Sequence, residues 1–396
     1  MKDIRWAGLL LLLVWAGAAA GQTAPARKGG VNMTRLALID KAVGQAMDRG
    51  YIPGAVVLVN HGGDKVWHKA YGFAQLVPEK VAMEQEMVFD LASVTKPVAT
   101  ATSIMILAER GLLRLTDRVS DYVPGFSRYV RSDTTRADEA RIWHLLTHTS
   151  GLPAYINAAE AARVFGSSTK TETMVDYISK LPKLSGPGER YLYSCLGFIT
   201  LNQIIIRVTG QNVSEFAQEN IFRPLEMRYT TFNPDETLKL ICVPTELQED
   251  GLPLRGIVHD PLARLQGGIS GNAGLFATAS DLARYCQMML NGGILGETRI
   301  LSPVTVSRMT QIIDTPAKAA RGYGWVIKLG QSWVGGDLLP DGGYGHTGYT
   351  GTSIWIDPRT QTFIIILTNR VHPKDDGEVD SLRSTIANIV ASAILE

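Results

Sequence analysis

Cysteine is scarce: the 396 residues hold three, Cys195, Cys242 and Cys286, widely spaced and with no Cys-x-x-Cys pair. That excludes a disulfide-dense scaffold; one disulfide and three buried free thiols both fit the spacing. Cys286 lies in the helical pattern Asp281 to Met288 and is expected in the core. No group of His, Cys and carboxylates has metal-ligand spacing, so neither a metal site nor a cofactor is expected. An excess of charge is lacking too. The 39 Lys and Arg face 38 Asp and Glu, a net charge of +1, which gives no reason to expect nucleic acid or an acidic membrane surface as partner. Internal repeats and low-complexity tracts are absent. What remains is a chain 45% hydrophobic and 19% charged, with ample core for one large domain or two interleaved ones.

The one apolar run of note is at the start. Lys2 and Arg5 precede Trp6 to Ala20, which is rich in Leu and ends in small residues. It is short for a bilayer span and has the layout of a signal peptide. The reading is a signal peptide over 1–22, a flexible leader over 23–32 and a catalytic domain over 33–394. Cleavage leaves no stable membrane anchor, and the mature protein is expected in the periplasm or secreted.

Residues 34–49 have helical spacing of Leu36, Ile39, Val43 and Met47, closed by Gly50. Ala55 to Val59 and Lys65 to Tyr71 alternate as strands across a turn at Asn60 to Asp64. The middle is mostly helical. The tail returns to strands at Gly324–Ile327, Ser332–Gly335, Tyr344–Gly348, Ser353–Ile356 and Phe363–Thr368, then a helix over Val379–Leu395. Strands at both ends with helices between predict an α+β fold. One antiparallel sheet is built from both termini (about 33–90 and 290–394) and flanked by helices, and an all-α lobe (about 91–289) is inserted. A site between the lobes is the default expectation.

Three short elements carry chemistry. Ser93-Val94-Thr95-Lys96 opens a helical run, so the lysine returns to the face of the serine one turn later. A serine hydroxyl is a weak nucleophile until a base takes its proton, and a buried lysine can be that base. Tyr193, in Tyr191-Leu192-Tyr193-Ser194-Cys195, can share that proton if a cation lowers its pKa from about 10. Gly345-His346-Thr347-Gly348 on a late strand offers an edge for a substrate backbone and its oxyanion. Each element alone also reads blandly, as a helix start, a core aromatic and a plain strand.

Together and in this order they resemble the serine β-lactamases and penicillin-binding proteins, class C above all, with the related DD-peptidases and family VIII carboxylesterases. His144 to Leu152, Gly271 to Phe276 and Leu367 to Pro373 resemble the same superfamily. The resemblance implies a β-lactamase/transpeptidase-like fold. It makes Ser93 the acylated nucleophile, with Lys96 and Tyr193 as the base system. The oxyanion hole would be the N–H groups of Ser93 and Tyr349, and His346, Thr347, Gly348 and Tyr349 would line the groove.

Two positions depart from the class C pattern. Cys195 stands where Tyr-x-Asn has its Asn, and a thiol is a poor hydrogen-bond partner beside a carboxamide. His346 stands where Lys-Thr-Gly has its Lys, and an imidazole is only fractionally charged near neutral pH. Arg370 or Lys374 could replace that cation, or both could be solvated surface charges. His144 and His148 read as structural. His259-Asp260 looks like a catalytic pair but is expected to shape the cleft rim. Trp143, Trp325 and Trp355 are expected in the core or groove walls. The expected activity is acyl-serine hydrolysis of esters or D-amino-acid-containing peptides. A true β-lactamase and a non-catalytic muropeptide-binding module are the alternatives. The partner is a small or peptidoglycan-derived substrate.

Overall fold

The computed structural model describes residues 27–130, 137–330 and 334–395. The expected signal peptide and most of the leader lie outside the described residues. The last residues of that leader are paired: Arg27–Lys28 runs antiparallel to Val31–Asn32, and Val31 bridges to Ile394.

The sheet has seven strands, all antiparallel to their neighbours. In chain order these are β1 (Gly54–His61), β2 (Asp64–Gln75), β3 (Val81–Ala82), β4 (Val326–Ile327), β5 (Tyr344–Thr347), β6 (Ser353–Asp357) and β7 (Thr362–Thr368). The spatial order is β4-β5-β6-β7-β1-β2-β3. The N-terminal and C-terminal parts meet at the β7–β1 pair, as expected from strands at both ends.

The central strands read as unbroken apolar runs because both faces are covered. Successive residues point to opposite faces, and the contacts follow. Val56, Leu58, Phe363, Ile365 and Leu367 join the large core under the inserted segment. Ala55, Val57, Val59, Ile364 and Ile366 join a second core under the terminal helices α1 (Leu38–Asp48) and α5 (Asp380–Ala393). Burial of each such Val, Leu or Ile stabilises the fold by about 1.5–3 kcal/mol.

The inserted segment supplies α2 (Thr102–Glu109), α3 (Cys195–Thr209) and α4 (Ala279–Leu290). Cys286 is fully buried in α4, and all three cysteines are free. The segment is helical as expected apart from short strands. Leu275–Ala277 pairs with Phe89–Asp90 and with Thr231–Phe232, and Tyr129–Val130 pairs with Ala137–Asp138. The expected strand Ser332–Gly335 does not form where it is described: Val334 and Gly335 are in a turn. Gly335 lies against the Trp355 indole, and the buried Lys328 amine donates to the Gly336 carbonyl at 3.0 Å, which closes this stretch as a loop.

The turn from β5 to β6 is docked on the segment before Ser93. Thr350 Oγ1 donates to the Asp90 carbonyl (2.7 Å) and Thr352 Oγ1 to the Leu91 carbonyl (3.0 Å). Gly348 allows this approach: a Cβ there would sit 2.4 Å from the Leu91 oxygen and 2.1 Å from Thr352 Oγ1. Gly348→Ala is therefore expected to destabilise by about 1–3 kcal/mol, as overpacking does. Urea unfolding checks this, and a midpoint equal to wild type would refute the close approach.

Candidate active site

Ser93 sits in a 3₁₀ turn, Ala92–Val94, that runs directly into a helix. Ala92, just before it, has φ +45°, a left-handed conformation that costs a non-glycine residue roughly 1–3 kcal/mol. The Asp90 carboxylate holds it there by accepting the Ala92 N–H at 2.8 Å and, with its other oxygen, the His259 N–H at 2.7 Å. Burial pushes the Asp90 pKa up against the pull of these two bonds.

Lys96 begins a π-helical stretch, Lys96–Ala101, a departure from α-geometry that recurs at functional sites. Its side chain is wholly buried. The amine donates to Ser93 Oγ at 2.9 Å and to the Asn272 carbonyl at 2.9 Å. Tyr193 and Cys195 arrive at the N-terminus of α3, where Ser194 caps the helix. The Tyr193 hydroxyl is hydrogen-bonded to both Lys96 and Ser93, and the Cys195 side chain contacts Lys96 and Asn272. The structure thus brings together Ser93, Lys96, Tyr193 and Cys195.

Burial opposes the Lys96 ammonium, whereas Cys195 and Tyr193 as anions favour it; with both anions present its pKa lies above the ordinary lysine value. Burial also pushes the Tyr193 phenol and the Cys195 thiol up. Near neutral pH both are therefore protonated and no longer favour the ammonium as anions, so burial, which favours the free amine, is opposed by the Tyr193 hydrogen bond and the Asp260 carboxylate. The site holds Ser–OH, amine and phenol in one hydrogen-bonded group, able to hand a proton along it.

The cleft beside Ser93 encloses about 470 Å³. One wall is the strand β5. Its neighbour β4 pairs only with Tyr344 and Gly345, so His346 to Gly348 keep an open edge on that side. Just past it, the Tyr349 N–H has no hydrogen bond among the described residues. An open edge with a free N–H beside a nucleophile can hold an extended backbone and an oxyanion.

His346 brings no charge here. Its Nδ1–H donates to the Thr347 carbonyl at 2.8 Å, and Nε2 is buried without a partner among the described residues. Burial, with Arg321 and Lys96 nearby, drives its pKa well below the usual value, so it is neutral rather than fractionally charged. Three arginines line the cleft, Arg321, Arg370 and Arg383; the one beside Tyr193 is Arg321, which the sequence reading missed. Its guanidinium lies 5.8 Å from the Tyr193 ring and 5.0 Å from the Tyr191 ring, donates to the Tyr191 hydroxyl, and keeps one buried N atom unpartnered. Nothing in the sequence marks it: it is a single arginine in an irregular stretch.

Neither proposed replacement fills that role. Arg370 is spent on the rim, donating to the Tyr349 carbonyl (2.7 Å), the Asp375 carboxylate (2.8 Å) and the Gly377 carbonyl (3.0 Å). Lys374 is exposed. His259 and Asp260 do not act as a pair: His259 meets Glu246 at 3.2 Å, while Asp260 caps the helix Pro261–Leu265 and accepts from Tyr155. His148 accepts the Ser194 N–H at 3.0 Å and lies 4.4 Å from the Tyr193 ring; His144 accepts the Arg141 N–H at 2.9 Å. Both are structural. Trp325 and Trp355 are core residues, and Trp143 is half-buried. Among the described residues no cluster could hold a metal ion, and no helix is long and apolar enough to cross a membrane.

The family model "Beta-lactamase" matches residues 39–388. A protein of Escherichia coli (strain K12) named "Putative D-alanyl-D-alanine carboxypeptidase" is 34% identical over 373 residues, 87% of this chain and 84% of that protein. One of the same name from Salmonella newport is 33% identical over 378 residues, 88% of this chain and 86% of that one. Among solved structures, "EstCE1, a hydrolase with promiscuous acyltransferase activity" superposes with TM-score 0.75 at 24% identity, covering 90% of this chain and 99% of that one. A penicillin-binding protein homologue from Pyrococcus abyssi has TM-score 0.67 at 24% identity, covering 88% and 75%.

The buried histidines make stability depend on pH. Burial lowers His144 to about 4 and holds His148 and His346 well below 6.5. Unfolded, each titrates near 6.5. Between the folded and unfolded values the unfolded chain binds more protons, so stability is full above about 6.5 and falls as pH drops below it. His144→Asn keeps an acceptor for Arg141 but removes one such group. It should flatten the stability slope between pH 6.5 and 4 by up to about 1.4 kcal/mol per pH unit. Denaturant midpoints across that range test this, and an unchanged slope would refute it.

Proposed function

The chain belongs to the beta-lactamase family of serine hydrolases, and from that footing we propose that it is an exported hydrolase that removes the terminal residue from D-alanyl-D-alanine-type peptides through an acyl-Ser93 intermediate. Lys96, as the free amine, takes the Ser93 proton while the oxygen attacks the carbonyl. The Ser93 and Tyr349 N–H groups receive the oxyanion. Tyr193, bonded to both Ser93 and Lys96, carries the proton to the leaving nitrogen. Water then enters and the same groups act in reverse. Export is inferred from residues 2–24 alone.

One observation carries the substrate reading: Arg321, a cation with an unpartnered N atom, lines the cleft beside Tyr193 and the β5 edge. A terminal carboxylate is the group such a guanidinium holds best. The names of the E. coli and Salmonella relatives point the same way. Ester hydrolysis is the second reading. It is favoured by Cys195, which cannot hold an acyl-amide as a carboxamide would. The same thiol speaks against efficient β-lactam turnover. The non-catalytic module is disfavoured by the 2.9 Å Lys96–Ser93 bond, which a binding protein has no use for.

Two outcomes are expected. Ser93→Ala should abolish covalent labelling by nitrocefin and cut release of D-alanine from an N-acyl-Lys-D-Ala-D-Ala peptide by at least about 10³-fold; residual turnover above a few per cent removes Ser93 from its role. Arg321→Gln should raise KM for that peptide about 10- to 100-fold, the worth of a charged hydrogen bond. It should have far less effect on p-nitrophenyl acetate, which has no carboxylate. Equal losses on both substrates would overturn the carboxylate reading.

A further inference from the structure

The C-terminal helix places an arginine where stability alone would not ask for one. Arg383 sits in the first turn of α5, the end of a helix that favours acidic side chains, and it is only 4% exposed. A buried guanidinium is costly unless its donors are met. Here Nε is buried without a partner among the described residues. Burial pulls the pKa down to about 10, which leaves the group charged at neutral pH. Nη1 donates to the Asp380 carboxylate at 2.7 Å. Nη2 is given to two backbone carbonyls of the β5–β6 turn, Gly348 at 3.2 Å and Thr352 at 2.9 Å.

Those two carbonyls are the ones that close the turn. The Thr352 carbonyl also accepts the Gly348 N–H at 2.7 Å, and the Gly348 carbonyl accepts the Gly351 N–H at 3.1 Å. The Gly348 carbonyl belongs to the same peptide unit as the Tyr349 N–H, the donor without a partner among the described residues. In a trans peptide the C=O and the N–H point in opposite directions across one plane. With the oxygen fixed against the guanidinium, the N–H is aimed away from it, and it cannot turn over without breaking both bonds to that oxygen. The charge acts along the unit as well. A cation at the carbonyl oxygen draws electron density through the partly double C–N bond and makes the N–H a stronger donor.

We propose that Arg383 is a positioning residue for the oxyanion hole: its guanidinium sets the direction and the donor strength of the Tyr349 N–H through the Gly348 carbonyl. The inference rests on the acyl-serine reading, in which that N–H receives the oxyanion, and adds a residue that need touch neither substrate nor Ser93. It also accounts for a buried charge in the first turn of a helix. The effect is greatest once the substrate oxygen carries negative charge, so it acts on the transition state more than on binding. Arg383 itself lines the cleft, so direct binding of a substrate carboxylate is the competing role, and the experiment separates the two.

The test is stopped-flow release of p-nitrophenol from p-nitrophenyl acetate by wild type, Arg383→Lys and Arg383→Met. This gives the maximal acylation rate and the ester's dissociation constant separately, and infrared difference spectra give the ester carbonyl stretch of the acyl-enzyme. The ester has no carboxylate, so carboxylate binding cannot enter. Arg383→Met should slow acylation about 10- to 100-fold, short of the ~10²–10³ lost when an oxyanion donor is removed outright. Arg383→Lys keeps the charge but lacks the planar fork that spans the carbonyls and Asp380 together, and should lose about 3- to 10-fold. If the Met variant does not fold, the Lys variant decides alone. The dissociation constant should stay within about threefold, and the carbonyl stretch should rise in the order of the rate losses. Acylation within about twofold of wild type in the folded variants would overturn the proposal. So would slower acylation with an unmoved carbonyl stretch, since Arg383 would then only support the turn. A loss confined to binding of an N-acyl-Lys-D-Ala-D-Ala peptide would overturn it in favour of direct carboxylate binding. Absence of any acyl adduct on Ser93 in wild type, by intact mass, would overturn the acyl-serine reading and this inference with it.

Discussion

A fully buried lysine amine is the constraint on which the rest of this structure turns. An ammonium in an apolar interior is costly unless it is paired or gives up its proton. Lys96 is met on every side by polar atoms from distant parts of the chain: the Ser93 hydroxyl one turn earlier, the Asn272 carbonyl, the Tyr193 phenol and the Cys195 thiol. Among the described residues no carboxylate hydrogen-bonds it, although Asp260 favours its ammonium from nearby. Burial favours the free amine, and as a free amine next to a serine hydroxyl the group would be a base. The same burial that would make a structural ion pair expensive makes this group reactive.

Holding that amine in place fixes much else. Asn272 precedes Leu275–Ala277, which is paired to Phe89–Asp90, the strand that leads into Ser93. Tyr193 and Cys195 are set by the cap of α3 and by His148, whose ring lies against Tyr193 and whose Nδ1 accepts the next residue's N–H. The β5–β6 turn is bonded to Asp90 and Leu91 and brought close by Gly348. The proposed nucleophile, base and oxyanion donors thus come from segments that brace one another, which is how a fold holds reacting groups within hydrogen-bond distance. Charge in the cleft is arranged by the same economy: the buried histidine on the strand is neutral, and permanent cations come from arginines, with Arg321 beside Tyr193.

The architecture and the heart of the site were readable in the sequence for local reasons. Strand alternation, the apolar runs of β1 and β7 and the helical spacing near both ends have short periods that a one-dimensional pattern preserves. Ser93 and Lys96 are likewise one turn apart, so their contact follows from backbone geometry. Tyr193 and His346 stood out only through short motifs whose order along the chain resembles a known superfamily. The misses have a different origin. Arg321 has no partner nearby in sequence. The π-helical turn after Lys96, the short strands in the inserted segment and the turn at Val334–Gly335 all come from packing against distant residues. Arg370 was placed in the right neighbourhood, yet its hydrogen bonds are spent on Tyr349, Asp375 and Gly377.

By itself, the sequence determined an α+β chain of the serine hydrolase kind and singled out Ser93, Lys96 and Tyr193 as candidates for its reactive set, because those features rest on short-range periodicity and on motif spacing. Only the tertiary structure decided the charge state of those groups and the shape of the cleft. Whether His346 is charged, how far burial favours the free amine of Lys96 and which arginines line the cleft all depend on desolvation and on contacts between residues far apart in the chain. Those quantities belong to the folded interior and have no local pattern from which to be read.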